Sequence, residues 1–237
     1  MIAWTKEMII YEDEDILVTY KPANFPVQTK SSGLMDLESS LKIHLASGLK
    51  GRQMPYLGII QRLDQPVEGI LLFAKNQKAA SLLNAMMQKG EIKKAYLAIV
   101  EGKVRAKEEV LEDYLVKDAK INMSKVTCKS MVNAKLARLH YRYLEDKIIE
   151  ERVLSLVEVK LFTGRHHQIR VQLSNAGMPL YGDYKYGEGD KDKVNQEGTI
   201  ALCAAKLSFS HPKTKKIMEF SIKPKNPIFD FFEKTLP

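Results

Sequence analysis

The amino-acid sequence predicts an α+β domain in which strands outnumber helices. Three observations lead there. Short apolar runs bounded by turn residues recur along the chain, and helical spacing of apolar residues is confined to a few stretches. The two patterns also do not alternate strictly, as repeated strand–helix–strand units would. With 237 residues, 45% hydrophobic and 28% charged, the chain suffices for one large domain or two small ones sharing a core. It contains no internal repeat and no low-complexity tract.

Two short strands open the pattern, residues 8–11 and 15–20, with Glu12-Asp13-Glu14 as the polar turn between them. Lys21-Pro22 ends the second, because proline cannot donate to a ladder. Leu37, Leu41 and Leu45 recur at every fourth position, which predicts a helix from about Asp36 to Ala46. Leu57-Gly58-Ile59-Ile60 and the continuous apolar run 69–75 read as strands, broken by Asp64-Gln65-Pro66. Asn76 is a good cap for a helix carrying Ala79, Leu82, Leu83, Met86 and Met87 on one face, and Gly90 stops it.

Residues 94–100 alternate like a strand, and several short strands are expected between Val110 and Glu158, in a segment studded with lysines. Val153 to Phe162 reads as a half-buried strand. A helix from Arg165 to Ala176 follows, with Ile169, Leu173 and Ala176 as its apolar stripe and Gly177 as its stop. Tyr184 to Gly198 reads as a polar loop, and two last strands, about 199–208 and 217–222, precede a short C-terminal helix.

Composition narrows the function classes. Lys and Arg total 37 against 29 Asp and Glu, a net charge of +8 that permits polyanion binding without requiring it. No apolar run approaches the roughly 20 residues of a membrane-spanning helix, so no membrane association is expected. The N-terminal residues lack the pattern of a secretion signal, and the expected location is the cytoplasm. Two cysteines, Cys128 and Cys203, with no C-x-x-C pair, agree with a reducing compartment. A monomer is the starting expectation for oligomeric state.

Two segments concentrate chemistry-bearing side chains. In Arg62-Leu63-Asp64 the carboxylate sits where an apolar strand runs into a turn, a position that presents catalytic groups but also suits an Asp that merely caps the turn before Pro66. In Thr163-Gly164-Arg165-His166-His167-Gln168-Ile169-Arg170-Val171, two arginines, two histidines and a glutamine lie within six residues. On a helix His166 and His167 would share a face with Arg170, and the arginines at the helix start suit a phosphate or a carboxylate. Adjacent histidines diverge on a helix, so no metal site is expected there. The nucleophile elbow, the P-loop and the dinucleotide fingerprint are all missing. Asp64 has no evident acidic partner of the kind a glycosidase needs, Glu68 and Asp183 being the only candidates.

At these residues the sequence resembles the RluA-like family of pseudouridine synthases over nearly its whole length. Four blocks carry the likeness in order: Tyr11 to Val18 leading to Lys21-Pro22; Arg62-Leu63-Asp64 through Gly69 to Lys75; Lys94-Ala95-Tyr96-Leu97-Ala98; and Thr163 to Val171, continued by Gly177 to Asp183 and Tyr186-Gly187. Leu202-Cys203-Ala204 and Ser210-His211-Pro212 also look familial. The chain departs from the family at Gln61, where His is usual, at Val67-Glu68, where Thr-Ser is usual, and at Cys203, where His is common.

The resemblance implies a single catalytic domain over residues 1–237, without the S4-type RNA-binding module of some relatives. It implies a mixed, mainly antiparallel central sheet with flanking helices and a catalytic cleft. The implied reaction isomerises uridines of ribosomal or transfer RNA, flipping the target base out of its stack. That reaction needs no redox or energy input, so no cofactor is expected. By resemblance Asp64 is the catalytic carboxylate, attacking C1′ or removing the C2′ proton. A carboxylate buried alone is driven toward its neutral form, and a guanidinium beside it offsets this; by resemblance Arg170 is that partner. Tyr96 matches the family's active-site tyrosine, whose ring offers a surface for the detached uracil, whereas by local pattern it is a core tyrosine. Arg62 by resemblance helps extrude the base, and Arg165 and His167 shape the pocket. Lys117, Lys120, Lys125 and Lys129, with Lys213, Lys215 and Lys216, are candidate phosphate contacts. The rival readings are a catalytically silent RNA-binding protein on the same scaffold and a hydrolase of a glycosidic or phosphate bond.

Overall fold

The computed structural model describes residues 4–29, 33–47, 54–187 and 199–236. In chain order the elements are β1 (Ile9–Glu12), β2 (Ile16–Lys21), α1 (Leu37–Ala46), β3 (Gly58–Ile59), β4 (Glu68–Ala74), α2 (Gln77–Gln88), β5 (Lys93–Glu101), β6 (Glu108–Asp118), β7 (Met123–Thr127), β8 (Lys135–Ile149), β9 (Arg152–Leu161), α3 (Gln168–Asn175), β10 (Leu202–Ser210) and β11 (Ile217–Ser221). The C-terminal helix is a 3-10 turn, Pro227–Phe232. Strands dominate, as expected of an α+β fold, and no described helix is long and apolar enough to cross a membrane. The contacts group the chain into two units, Met1–Lys94 with Ala204–Ile222, and Ala95–Cys203 with Lys223–Pro237.

In the first unit the strands lie in the order β1-β2-β4-β10, with β3 paired to β4 and β11 to β10. β2 and β4 are buried along their entire length, because both sheet faces are covered. The strand period of two sorts their side chains. Ile16, Val18, Ile70 and Leu72 pack with Ala79 and Leu83 of α2, while Leu17, Leu71 and Phe73 pack with Leu37 and Leu41 of α1. That double burial is why the sequence here is a continuous apolar run rather than an alternating one. Both helices begin at capping side chains: Asp36 accepts from the Ser39 amide, and Asn76, the predicted cap, from the Ala79 amide, each at 2.8 Å. Leu82, placed in the apolar stripe by periodicity, is instead 36% exposed.

Gly69 is required by packing. It adopts φ +139°, and a Cβ built there would lie 2.5 Å from the backbone nitrogen of Ala204. The chain of β4 and the neighbouring β10 can approach this closely only without a side chain at position 69.

In the second unit the order is β5-β9-β8-β6-β7, with antiparallel pairing throughout. Of the short strands expected between Val110 and Glu158, β7 is short, but β6 runs 11 residues and β8 15, with a register shift between Tyr143 and Glu145 that breaks its alternation. Ala137, Leu139 and Tyr141 are buried, while on the other face Arg138 and Arg142 form cross-strand ion pairs with Glu112 and Glu158, and His140 Nε2 lies 3.4 Å from Glu108. α3 covers the first face: Val171 packs on Leu115 and Ala137, and Gln172 Nε2 donates to Asp113 Oδ2 at 2.7 Å. Of the polar loop expected over Tyr184 to Gly198, residues 188–198 lie outside the described residues.

Candidate active site

Arg62 and Asp64 belong to the first unit, on the segment that enters β4. Ile60 N–H donates to Leu72 O at 3.2 Å and Gln61 Nε2 to Ile70 O at 3.3 Å, so the segment is laid against the strand it precedes. The Asp64 carbonyl accepts from the Val67 amide at 3.0 Å, closing a tight turn with Gln65-Pro66 at its tip. Asp64 is half-buried and Arg62 exposed. Arg62 lines a recess of about 380 Å³ with Gln28, Glu38, Leu57 and Ile60.

The turn is clamped from below by Lys21, to which the sequence assigns no role beyond a strand end and a familial block. Lys21 is fully buried, and its ammonium donates to the carbonyls of Pro22 at 2.8 Å, Phe25 at 2.9 Å and Gln65 at 2.9 Å. Burial pulls its pKa from 10.5 down to about 7, against the opposing pull of the Asp64 and Glu68 carboxylates. Glu68, buried at 1% exposure, accepts from the Tyr20 hydroxyl at 2.5 Å. A buried cation thus lies under the catalytic-candidate turn, and the signal for it was the apolar strand Ile16–Tyr20 continuing without a break into Lys21.

Tyr96, Arg165, His167, Arg170 and the lysines 117, 120 and 125 belong to the second unit. Tyr96 is buried on β5 opposite Val159 of β9. The predicted helix start at Arg165 is corrected: α3 begins at Gln168, and Arg165 to Gln168 forms a turn closed by Gln168 N–H on Arg165 O at 3.2 Å. His167 sits in that turn with φ +53°, a left-handed conformation that interrupts the helical path. Gln168 holds the turn that precedes the helix, its Oε1 accepting from Thr163 Oγ1 at 2.8 Å and from Arg165 N–H at 2.9 Å. His166 and His167 therefore do not share a helix face with Arg170. Their rings stack at 3.8 Å, and His166 Nδ1 reaches Ser124 Oγ at 2.9 Å.

Arg170, 2% exposed, meets Asp183 side-on, with Nε to Oδ2 and Nη2 to Oδ1 both at 2.7 Å. Its guanidinium lies 5.1 Å from the ring centroid of Tyr186, whose hydroxyl is 2.8 Å from His167 Nδ1 and accepts from Ser124 N–H at 2.7 Å. Arg170 and His167 are thus joined through Tyr186. In the sequence Asp183 is a candidate acidic partner of Asp64 and, with Tyr186, part of a familial block; its pairing with Arg170 is not legible there, because nothing local marks a contact across 13 residues and a turn.

The remaining basic candidates separate. In the β6–β7 register Lys117 is opposite Ser124 and Leu115 opposite Val126, which places Lys117 on the face covered by α3. Lys125 is opposite Val116 and faces the other way, and Lys120 is exposed in the connecting turn. Arg165 is exposed and spends Nε on the carbonyl of Leu136 at 2.8 Å.

Among the described residues one group has the composition of a metal site, Asp13, Asp15 and His211. Its atoms are already committed to the protein: Asp13 accepts from the Asp15 and Ile16 amides and pairs with His211 Nε2 at 2.9 Å, while His211 Nδ1 accepts from the Lys213 and Thr214 amides. The group ties the turn between β1 and β2 to the loop after β10 and is a structural knot.

A family model described as RNA pseudouridylate synthase matches residues 15–175. The chain is 35% identical over 216 residues to the RNA pseudouridine synthase YlyB of Bacillus subtilis, itself uncharacterised, covering 90% of this chain and 67% of that protein. It is 34% identical over 221 residues to ribosomal large subunit pseudouridine synthase D of Zymomonas mobilis, covering 90% of this chain and 67% of that protein. Among solved structures it is similar to human RNA pseudouridylate synthase domain containing 1, with a TM-score of 0.78 at 21% identity, covering 100% of this chain and 91% of the other. The chain spans about two thirds of the length of the two bacterial relatives.

Proposed function

Since the chain belongs to the RNA pseudouridylate synthase family, in its RluA-like branch, we propose that it isomerises chosen uridines of ribosomal or transfer RNA to pseudouridine, with Asp64 as the catalytic carboxylate. The reaction breaks the N1–C1′ bond, joins C5 to C1′ and moves one proton from C5 to N1. Atoms and electrons balance within the nucleotide, so the chemistry requires no cofactor. Asp64 acts at the ribose, as nucleophile at C1′ or as base at C2′.

The observation that carries the proposal is the Asp64 turn. A half-exposed carboxylate stands on a tight turn whose next carbonyl is held by a buried ammonium. This is rigid presentation of a charged group, which catalysis at a flipped nucleotide requires. The family match from 15 to 175 includes Asp64, Tyr96 and Arg170, and that supports assigning all three to one reaction over a single catalytic domain, residues 1–237. In this reading Tyr96 offers its ring to the uracil, Arg170 supplies the counter-charge for the carboxylate, and Arg62, exposed beside Asp64, grips or replaces the extruded base. Arg165 and His167 shape the pocket, and Lys117 and Lys120 guide the RNA by its phosphates.

Pseudouridine mapping of cellular RNA with and without the gene tests the proposal and identifies the target. A site lost with the gene and restored by the purified enzyme supports it. Release of a free base or of a new RNA end on incubation favours the hydrolase instead.

A further inference from the structure

We infer that Asp183 is a positioning residue for catalysis, acting only through Arg170. The inference rests on the role proposed above for Arg170. A lone arginine is a flexible side chain whose guanidinium can present any edge. Here the group is fixed before any substrate arrives. Its Nε/Nη2 edge is taken by both oxygens of Asp183 at 2.7 Å, and one of its faces lies against Tyr186. The carboxylate is itself held, since Asp183 Oδ1 accepts from the Lys185 amide at 3.1 Å and the Asp183 carbonyl from the Gly187 amide at 2.7 Å. The two paired side chains are 3% and 0% exposed, so solvent does not loosen the pair.

Two consequences follow for the reaction. The side-on edge, the best shaped for a carboxylate, belongs to Asp183, so Arg170 addresses other acceptors through Nη1 and the second hydrogen of Nη2. Asp183 also shares the charge of Arg170, so the counter-charge proposed for Arg170 acts through N–H groups of fixed direction. Position is then what Asp183 supplies.

The test is single-turnover pseudouridine formation at saturating RNA, with RNA affinity measured separately, for Asp183→Asn, Arg170→Lys and the double variant. Asp183→Asn is expected to slow turnover about 10- to 100-fold, the scale of a displaced catalytic group, with RNA affinity within about twofold of the wild type. In the Arg170→Lys background the same substitution is expected to add little, because Asp183 has no other route to the reaction. Multiplicative losses in the double variant, or an equal fall in RNA affinity and turnover, would overturn the inference. So would near-wild-type turnover in Asp183→Asn. Should Asp183→Asn not fold, Asp183→Glu decides: it keeps the charge but moves it by one methylene, and turnover like the wild type contradicts positioning. A wild-type enzyme that forms no pseudouridine in any RNA instead removes the underlying function, which separates the two failures.

Discussion

The ammonium of Lys21 donates to the carbonyl of Gln65 at 2.9 Å, one residue beyond Asp64. This contact joins the end of β2 to the candidate catalytic turn through a charge with no exposure to water. Because burial lowers the Lys21 pKa from 10.5 to about 7, the unfolded chain binds more protons at this residue between those values. Stability attributable to Lys21 therefore rises with pH from about 7 upward and is lowest when the buried ammonium is fully charged. Chemical denaturation of the wild type and Lys21→Met at about pH 6 and about pH 9 measures it. The difference is expected to shift in favour of the wild type at the higher pH, and a difference independent of pH contradicts the assignment.

Gly69→Ala places a methyl group against the Ala204 backbone, where the built Cβ comes within 2.5 Å of nitrogen. Neither strand can yield locally, so the cost is that of an overpacked core, about 1–3 kcal/mol, or several degrees of melting temperature. Gly90→Ala is the comparison, since its φ of +68° is strained for alanine but nothing lies within 4 Å of the added carbon. It is expected to cost about 1 kcal/mol or less. Equal melting temperatures for the two variants contradict the close approach of the strands.

Lys117 and Lys125 are neighbours on one hairpin with side chains on opposite faces. If RNA is bound on the face that α3 covers, Lys117→Ala weakens binding and reduces the salt dependence of log affinity by about 0.7–0.9, one phosphate contact. Lys125→Ala leaves the slope unchanged. A salt titration of RNA binding that gives the reverse order places the RNA on the other face.

Much of this fold is legible in the sequence, and the misreadings have identifiable causes. The helix α2 is announced by Asn76 at one end and Gly90 at the other, and the structure follows both. The strands β2 and β4 are evident because burial on both faces leaves an apolar run. By contrast β8 looks like several short strands, since its exposed face carries charged residues and a register shift after Tyr143 breaks the alternation. The start of α3 is misplaced because local spacing does not reveal that His167 turns left-handed.

Within the candidate site, Asp64 and Arg62 were found from a punctuated turn and from family resemblance. Lys21 was missed as a functional group because a charged residue closing an apolar strand normally reads as the point where the chain meets water. The pairing of Asp183 with Arg170 is not legible because contact between an arginine on a helix and an aspartate beyond the next turn leaves no periodic trace. Separation of Lys117 from Lys125 required the β6–β7 register, which the sequence does not specify.

The central claim is that Asp64 performs the chemistry while other residues hold the RNA. Asp64→Asn changes one oxygen to an amide on a turn closed through the Asp64 carbonyl and held through the Gln65 carbonyl. Pseudouridine formation and RNA affinity measured on this variant test the claim most directly. The account predicts no detectable pseudouridine with RNA affinity within about twofold of the wild type, because phosphate contacts dominate binding. Pseudouridine formed by Asp64→Asn at the wild-type rate would contradict it.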